Sequence, residues 1–252
     1  MMLRTFRVDL HVHTCLSPCG ELEMTPSAIV RACGERGIDI IAICDHNSAE
    51  NVKGVRRAAE ETDLVVLAGM EVTTTEEVHV LSIFDNEEQV LKLQEEVYDC
   101  LLPGENDEEL FGLQVVANER DEVDGVVKKL LIGGTTLSLN ELVERIHDLG
   151  GLAIASHIDR ESFSLVGQLG FIPEDLAVDA LEVSQFGNVG ETRDQIPGVD
   201  RFPLITSSDA HRLDEIGRVT MTLLFAKATV DEIRMSLKGV EGRRIIEGGI
   251  SL

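Results

Sequence analysis

Short apolar runs alternate with amphipathic helical patterns along most of the chain. Residues 8–12, Val8-Asp9-Leu10-His11-Val12, read as a first strand. Thr25-Pro26 supplies an N-cap followed by proline at the first helical position. Ala28, Ile29, Ala32 and Cys33 line one face of the helix that follows, and Gly37 ends it. Residues 38–44 are nearly all apolar, as expected of a strand covered on both sides. A second helix is predicted over 49–61, and strands over 64–68 and 78–84.

The alternation resumes at Asn140, read as an N-cap, with Leu142, Val143, Ile146 and Leu149 forming a stripe that ends at Gly150-Gly151. Residues 152–156, 180–183, 203–206 and 219–225 read as later strands. A last helix spans about 229–238, and 244–246 is a candidate closing strand. Repeated strand–helix units imply a mostly parallel α/β sheet with right-handed crossovers, and so many strands close most economically as a barrel. No internal repeat, low-complexity tract or interdomain linker divides the 252 residues, which are read as one domain.

The rhythm breaks at Asp85. Residues 85–124 carry 14 acidic side chains against Lys92 and Arg120 alone, which is half of the net charge of −24. Val90, Leu91, Leu93, Val97 and Leu101 keep the first part an amphipathic helix, and residues 103–109 read as an exposed loop. The segment at about 85–139 is expected to be an insertion or excursion, with disorder of its middle as the rival reading and a solvated face as the simplest role for its charge.

Composition narrows the field. The chain is 43% apolar, enough for a sizeable core. No run of ~18 apolar residues is present, so no membrane span is expected. Residues 1–13 carry Arg4 and Arg7 and no apolar core, so no secretory signal is expected. Five cysteines are no disulfide framework, and a reducing cytoplasm is the simplest location. The charge of −24 repels long polyphosphates, so duplex nucleic acid is excluded as a partner at this level. With no Trp and one Tyr, an aromatic platform for single strands is poorly supported.

The chemistry lies elsewhere. His11-x-His13, Asp45-His46, Glu71, His79, His157 and Asp209-x-His211 sit mostly at or just past the C-terminal ends of predicted strands. In α/β sheets and barrels that edge is where loops converge on a site. Side chains at i and i+2 share a strand face, so His11 and His13 can grip one ion, and Asp209 and His211 can line the same cavity. One histidine on a strand is more often a core or surface residue; the ordered set is what carries the argument. Asp9 and Asp45 are expected to orient ligand imidazoles, with a proton-donor role for Asp45 as the alternative. Glu182 and Gln185 end a strand and are candidates to face the cavity. His147, in the last turn of a helix, reads as structural. Cys33, Cys44 and Cys100 read as small core residues.

The stretches Asp9-Leu-His-Val-His-Thr14, Ile43-Cys-Asp-His-Asn47, Gly69-Met-Glu-Val72, Ser156-His157 and Ser208-Asp-Ala-His211 resemble the PHP (polymerase and histidinol phosphatase) family of metal-dependent phosphoesterases. The resemblance implies a distorted (β/α)7 barrel and two or three divalent ions. It implies that His11, His13, Glu71 and Asp209 hold the first ion, that Glu71 bridges to a second completed by His79 and His157, and that His46 and His211 serve a third. The family usually offers Asp or His for that third ion where this chain has Cys19, so Cys19 is either a ligand or the mark of an altered site. Arg160, three residues beyond His157, matches a phosphate-binding arginine of similar phosphatases, although Ile158-Asp159 replaces the usual Pro-Gly.

Imidazole and carboxylate together favour Zn, Mn or Fe. The expected activity is therefore hydrolysis of a small phosphomonoester, a nucleotide or sugar phosphate, by a hydroxide bridging two ions. The rivals are an exonuclease on short oligonucleotides, an amidohydrolase-type C–N hydrolase, and a non-catalytic metal-binding accessory module. Oligomeric state is left open.

Overall fold

The computed structural model describes residues 2–250. Ten strands form one curled, mixed sheet: β1 (Arg4–Val12), β2 (Ile40–Ile43), β3 (Val65–Thr73), β4 (His79–Phe84), then β7 (Leu152–Ala155), β8 (Ala180–Val183), β9 (Leu204–Thr206), β10 (Met221–Phe225), β11 (Arg244–Glu247) and β12 (Gly249–Ile250). Strands β5 (Val115–Ala117) and β6 (Val123–Val126) form a separate antiparallel pair. The helices are α1 (Pro26–Arg36), α2 (Val52–Ala58), α3 (Glu87–Cys100), α4 (Glu108–Phe111), α5 (Leu139–Asp148), α6 (Leu165–Leu169), α7 (Val189–Gln195) and α8 (Val230–Leu237). None of the described helices is long and apolar enough to cross a membrane.

The strand order is β11-β10-β1-β2-β3-β4-β7-β8-β9-β12. The joins β1–β2, β2–β3, β7–β8 and β8–β9 are parallel, as the strand–helix rhythm predicts. The joins of β4 to β3 and β7, and of β10 to β1 and β11, are antiparallel. The architecture is thus α/β with a curled sheet, but its ten strands are not a regular repeat of seven strand–helix units. The cause is local: residues 74–78 are too few for a crossover helix, so the chain must reverse directly. Strands β11 and β12 occupy opposite ends of the strand order yet are separated by Gly248 alone, so connectivity draws the two edges together. Gly248 has φ +78, and a Cβ there would stand 2.4 Å from the Thr220 carbonyl oxygen, so only glycine fits this bend.

The sheet has two apolar faces. Phe6, Val8, Leu10, Ile40, Ala42, Leu67, Leu81, Ile83, Ile154, Ile205 and Leu223 form one cluster with Val230, Ile233 and Leu237 of α8. Side chains from so many strands meet only on the inside of a curled sheet. The alternate residues, including Ile41, Ile43, Val66, Ala68, Met70 and Val80, pack outward against α1, α2, α3 and α5.

Helix ends follow local chemistry. Pro26 opens α1, and Gly37, in the left-handed region, closes it. Helix α5 starts two residues earlier than predicted: Ser138, not Asn140, is its N-cap, and a capping box with Glu141 fixes it. The acidic segment is built onto the fold. Val90, Leu93 and Val97 of α3 are buried, and Gln114 and Leu131 are wholly enclosed. The Asn47 amide donates to the Leu131 and Gly133 carbonyls at 2.8 Å, and the Asn51 amide to that of Val115 at 2.9 Å, tying the segment to the loops after β2.

Candidate metal centre

Strand parity decides which side chains reach the inside of the curl. Leu67 points inward from β3, so Gly69 and Glu71 do as well. Leu81 and Ile83 fix His79 inward on β4. Ala180 does the same for Glu182 on β8. β1 needs an extra step. Phe6, Val8 and Leu10 point inward, and unbroken alternation would send His11 and His13 into the helical layer. The register against β2 shifts between Asp9 and Val12, and Val12 packs outward. This irregularity turns both histidines toward the interior.

The result is a compact cluster around Glu71. Its Oε1 lies 3.5 Å from His11 Nε2, 3.2 Å from His79 Nδ1 and 3.3 Å from His157 Nε2. Its Oε2 lies 3.5 Å from His13 Nε2 and 3.1 Å from His46 Nδ1. Asp209 Oδ1 is 3.3 Å from both His11 Nε2 and His13 Nε2. His211 stacks on His13 with centroids 4.0 Å apart. Cys19 Sγ is 3.1 Å from His46 Nε2. Arg160 is ion-paired to Asp209 Oδ2 at 2.5 Å. All ten side chains that the sequence nominated for metal and phosphate therefore converge.

The loops bear strain. Asn47, His157 and Asp209, each just past a strand, have φ of 49°, 29° and 49°. Such left-handed backbone costs a non-glycine residue of order 1 kcal/mol or more and gathers at functional sites.

Hydrogen bonds behind the cluster fix the imidazole tautomers. Asp45 accepts from Thr14 N–H, the Thr14 hydroxyl and the Ser17 hydroxyl at 2.7–2.8 Å. Ser17 has thereby used its only proton, so its Oγ must accept from His13 Nδ1 at 2.9 Å. The lone pair of His13 Nε2 then faces the cluster. His11 Nδ1 donates to Glu182 Oε2 at 3.0 Å, and His211 Nδ1 to the Asp209 carbonyl at 2.9 Å. In each case the remaining nitrogen, Nε2, is left with its lone pair free for a ligand.

The chain's own charges are unbalanced. Burial works against the Glu71 carboxylate, but His79, His11 and His46 outweigh it and hold its pKa well below the usual range. Burial likewise opposes Asp209, and His11 and His13 draw it down. Burial pushes His13 to about 3, helped by His211, and pushes His46 well below its ordinary value. His11 is the exception: burial lowers it, yet Glu182, Asp209 and Glu71 together raise it. Meanwhile His46 Nδ1, His79 Nδ1 and Glu71 Oε1 are buried without a hydrogen-bond partner. Buried orphans of this kind are rare unless something else satisfies them. Three overlapping sets have donor atoms close enough to share an ion: His11-His13-Glu71, His46-Glu71-His79 and His13-His46-His211. The donor set fits divalent cations.

Other assignments need correction. Asp9 touches no imidazole; it accepts from Ser208 N–H and Gly217 N–H and ties the loop after β9 to β1. Asp45 acts on His13 only through Ser17, and all of its partners lie behind the cluster. Glu182 does not line the cavity but backs His11 and accepts from His157 N–H. Ser17, Ser162, Phe163 and Ile132 were not singled out by the sequence. Ser17 lies in an irregular loop, where no periodicity points to it. The cavity beside the cluster has a volume of about 240 Å³, with Ile132, Ser162, Phe163 and Arg160 on its walls.

The family model described as PHP domain matches residues 9–147, and one described as PHP-associated matches 201–240. The chain belongs to the PHP domain family. This PHP chain is 31% identical over 110 residues to the Bacillus subtilis protein YqxK, a match spanning 42% of this chain and 28% of that one. It is 26% identical over 82 residues to a 5′-3′ exoribonuclease of Haemophilus influenzae, across 31% of this chain and 29% of the relative. Among solved structures it superposes on the lesion-specific endonuclease Q of Pyrococcus furiosus with a TM-score of 0.74 at 20% identity, covering 96% of this chain and 58% of that one. It thus spans well under two thirds of these relatives' lengths.

A second endonuclease Q structure, with a TM-score of 0.70, holds a 27-mer duplex with an abasic lesion at the active site. That finding overturns the expected exclusion of duplex nucleic acid. The net charge of −24 is a sum over the whole surface. It says nothing of the local charge where Arg160 and six imidazoles gather.

Proposed function

We propose that this PHP domain is a metal-dependent hydrolase of phosphate esters, and that its substrate is a small phosphomonoester such as a nucleotide or sugar phosphate. The observation that supports this best is the pairing of Arg160 with Asp209 at the wall of a cavity floored by Glu71 and the histidines. A guanidinium beside an acid-and-imidazole cluster suits recognition of phosphoryl oxygens.

His11, His13, Glu71 and Asp209 would hold one divalent ion. Glu71 would share a second with His79 and His157. His46, His211 and Cys19 would surround a third. Zn, Mn and Fe suit such donors. Bound there, the ions lower the pKa of water to roughly 7 and offset charge on the phosphoryl group. The chain's own residues supply order. Glu182 and Ser17 hold the tautomers of His11 and His13, Asp45 holds Ser17, and Arg160 exchanges Asp209 for non-bridging oxygens of the ester.

A second reading, action on nucleic-acid phosphodiesters, is favoured by the likeness to endonuclease Q over 96% of the chain. One experiment separates the two. Phosphate release from monoesters is compared with cleavage of 5′-labelled single strands and duplexes, before and after chelation and with Mn, Zn or Fe restored. Metal-dependent release from monoesters supports the first reading, and strand cleavage without it the second. Activity untouched by complete metal removal overturns both.

A further inference from the structure

Phe163 is a large apolar side chain left 40% exposed on the cavity wall. Its ring stacks on the His79 imidazole, with centroids 4.8 Å apart and planes 23° from parallel. Its backbone sits in the left-handed region at φ 54, unusual for a bulky residue. That strained position is maintained by flanking bonds: the Phe163 carbonyl accepts from His79 N–H at 3.1 Å, and the Ser164 hydroxyl donates to the Arg160 carbonyl at 2.6 Å. Arg160 and Phe163 thus share one short, braced turn, and both border the cavity. Ile132, carried in by the segment between β6 and α5, adds a second apolar wall. An exposed aromatic and an aliphatic side chain beside a phosphate-seeking guanidinium make a slot for a flat apolar group.

We infer that Phe163 is a specificity residue: with Ile132 it receives a planar aromatic group on the substrate, a nucleobase or an aryl ring, while Arg160 takes the phosphate. This rests on the phosphoesterase reading and adds a preference that the metal cluster cannot provide, since the cluster meets only phosphate. One ring face is covered by His79, and the remainder is available to the ligand. Stacking on an aromatic side chain is worth enough to shift binding about tenfold or more.

The sequence offers a clean reporter, because the chain contains no Trp. Phe163→Trp introduces a sole indole at the slot. Metal-free Phe163→Trp is titrated with adenosine monophosphate, phenyl phosphate, glycerol phosphate and inorganic phosphate. Quenching by the first two and not by the last two supports the inference, and the difference between the first two separates nucleobase from aryl ring. Equal response to all four, or none to any, overturns it. This readout needs no turnover, so it stands apart from any failure of the hydrolase reading. In the metal-loaded protein, Phe163→Leu should lower kcat/KM for a nucleoside monophosphate by roughly tenfold, mainly through KM. It should change that for glycerol phosphate by less than about twofold, with Phe163→Trp restoring the nucleotide value. Parallel losses on both esters would mean that Phe163 only braces His79, and would overturn the proposal.

Discussion

Two clusters in this protein combine histidine, aspartate or glutamate and arginine, and they behave differently. At the N-terminal end of β8, Asp179 accepts from His147 Nε2 at 3.0 Å, Ala153 N–H at 3.0 Å and Arg234 Nε at 2.9 Å. Arg234 also donates to Asp231 and to the Gly151 carbonyl. Each carboxylate oxygen of Asp179 is matched by donors, and α8 is pinned to the sheet. At the other end of the sheet, Glu71 Oε1 and the Nδ1 atoms of His46 and His79 have no hydrogen-bond partner, and two buried carboxylates lie among six imidazoles. Completed hydrogen bonds mark a cluster that holds the fold. Buried groups left open, with their tautomers fixed from behind, mark one prepared for something not yet there.

The contrast is broken most severely at Glu71. Glu71→Gln should reduce phosphate release by roughly 10²–10³-fold and lower bound metal, measured by turnover and elemental analysis on the same samples. Turnover within twofold of the parent would remove Glu71 from the chemistry. Chelation comes next. If cations supply the strand-end cluster's missing partners, stripping metal should lower stability by a few kcal/mol at saturating ion, seen as a fall in Tm that added Mn or Zn reverses. An unchanged Tm would mean that the orphaned groups have no cation to satisfy them. Glu182→Gln should weaken metal affinity or turnover by about 10–100-fold, because it disturbs the His11 tautomer without touching the cavity. An effect as large as that of Glu71→Gln would show that it acts directly.

Asp179→Asn probes the other end and should leave turnover unchanged while costing about 2 kcal/mol of stability at neutral pH. Its pH dependence has a definite sign. Burial opposes the Asp179 carboxylate, but His147, Ala153 N–H and Arg234 hold its pKa below the usual aspartate range. A depressed carboxyl contributes stability above its unfolded pKa and loses it as pH falls through the folded one. The destabilisation by Asp179→Asn should therefore be full above about pH 4 and shrink below it, in denaturant titrations at stepped pH. A pH-independent difference would deny the charge its part.

How much of this was legible depends on what each signal measures. His11, His13, Glu71, His79 and Asp209 were visible because strand-end position and i, i+2 spacing translate directly into direction. The irregularity between Asp9 and Val12, without which His11 and His13 would face outward, is a three-dimensional register effect with no marker in the sequence. The antiparallel placement of β4 was hidden because strand patterning does not report direction, although the short 74–78 connection hinted at it. Strand β3 runs on to Thr73, five residues past the predicted end, because Met70 and Val72 pack outward while Glu71 turns inward. The Ser138 capping box is written in the sequence as Ser-x-x-Glu, a fuller start signal than Asn140 by itself. Charge misled most: a global sum spoke against duplex partners, whereas a structural neighbour holds a duplex at its active site, and such a sum does not report the field inside one cavity.

The central claim is that Glu71, Asp209 and six histidines form one site for divalent cations. Crystals soaked in Mn or Zn and measured on either side of the metal absorption edge test it most directly. Anomalous peaks within coordination distance of Glu71, flanked by His11, His13, His79 and His157, are the predicted result. Crystals that show no such peak after saturating soaks, with Glu71 Oε1 and the His46 and His79 Nδ1 atoms bonded instead to ordered water, would contradict it.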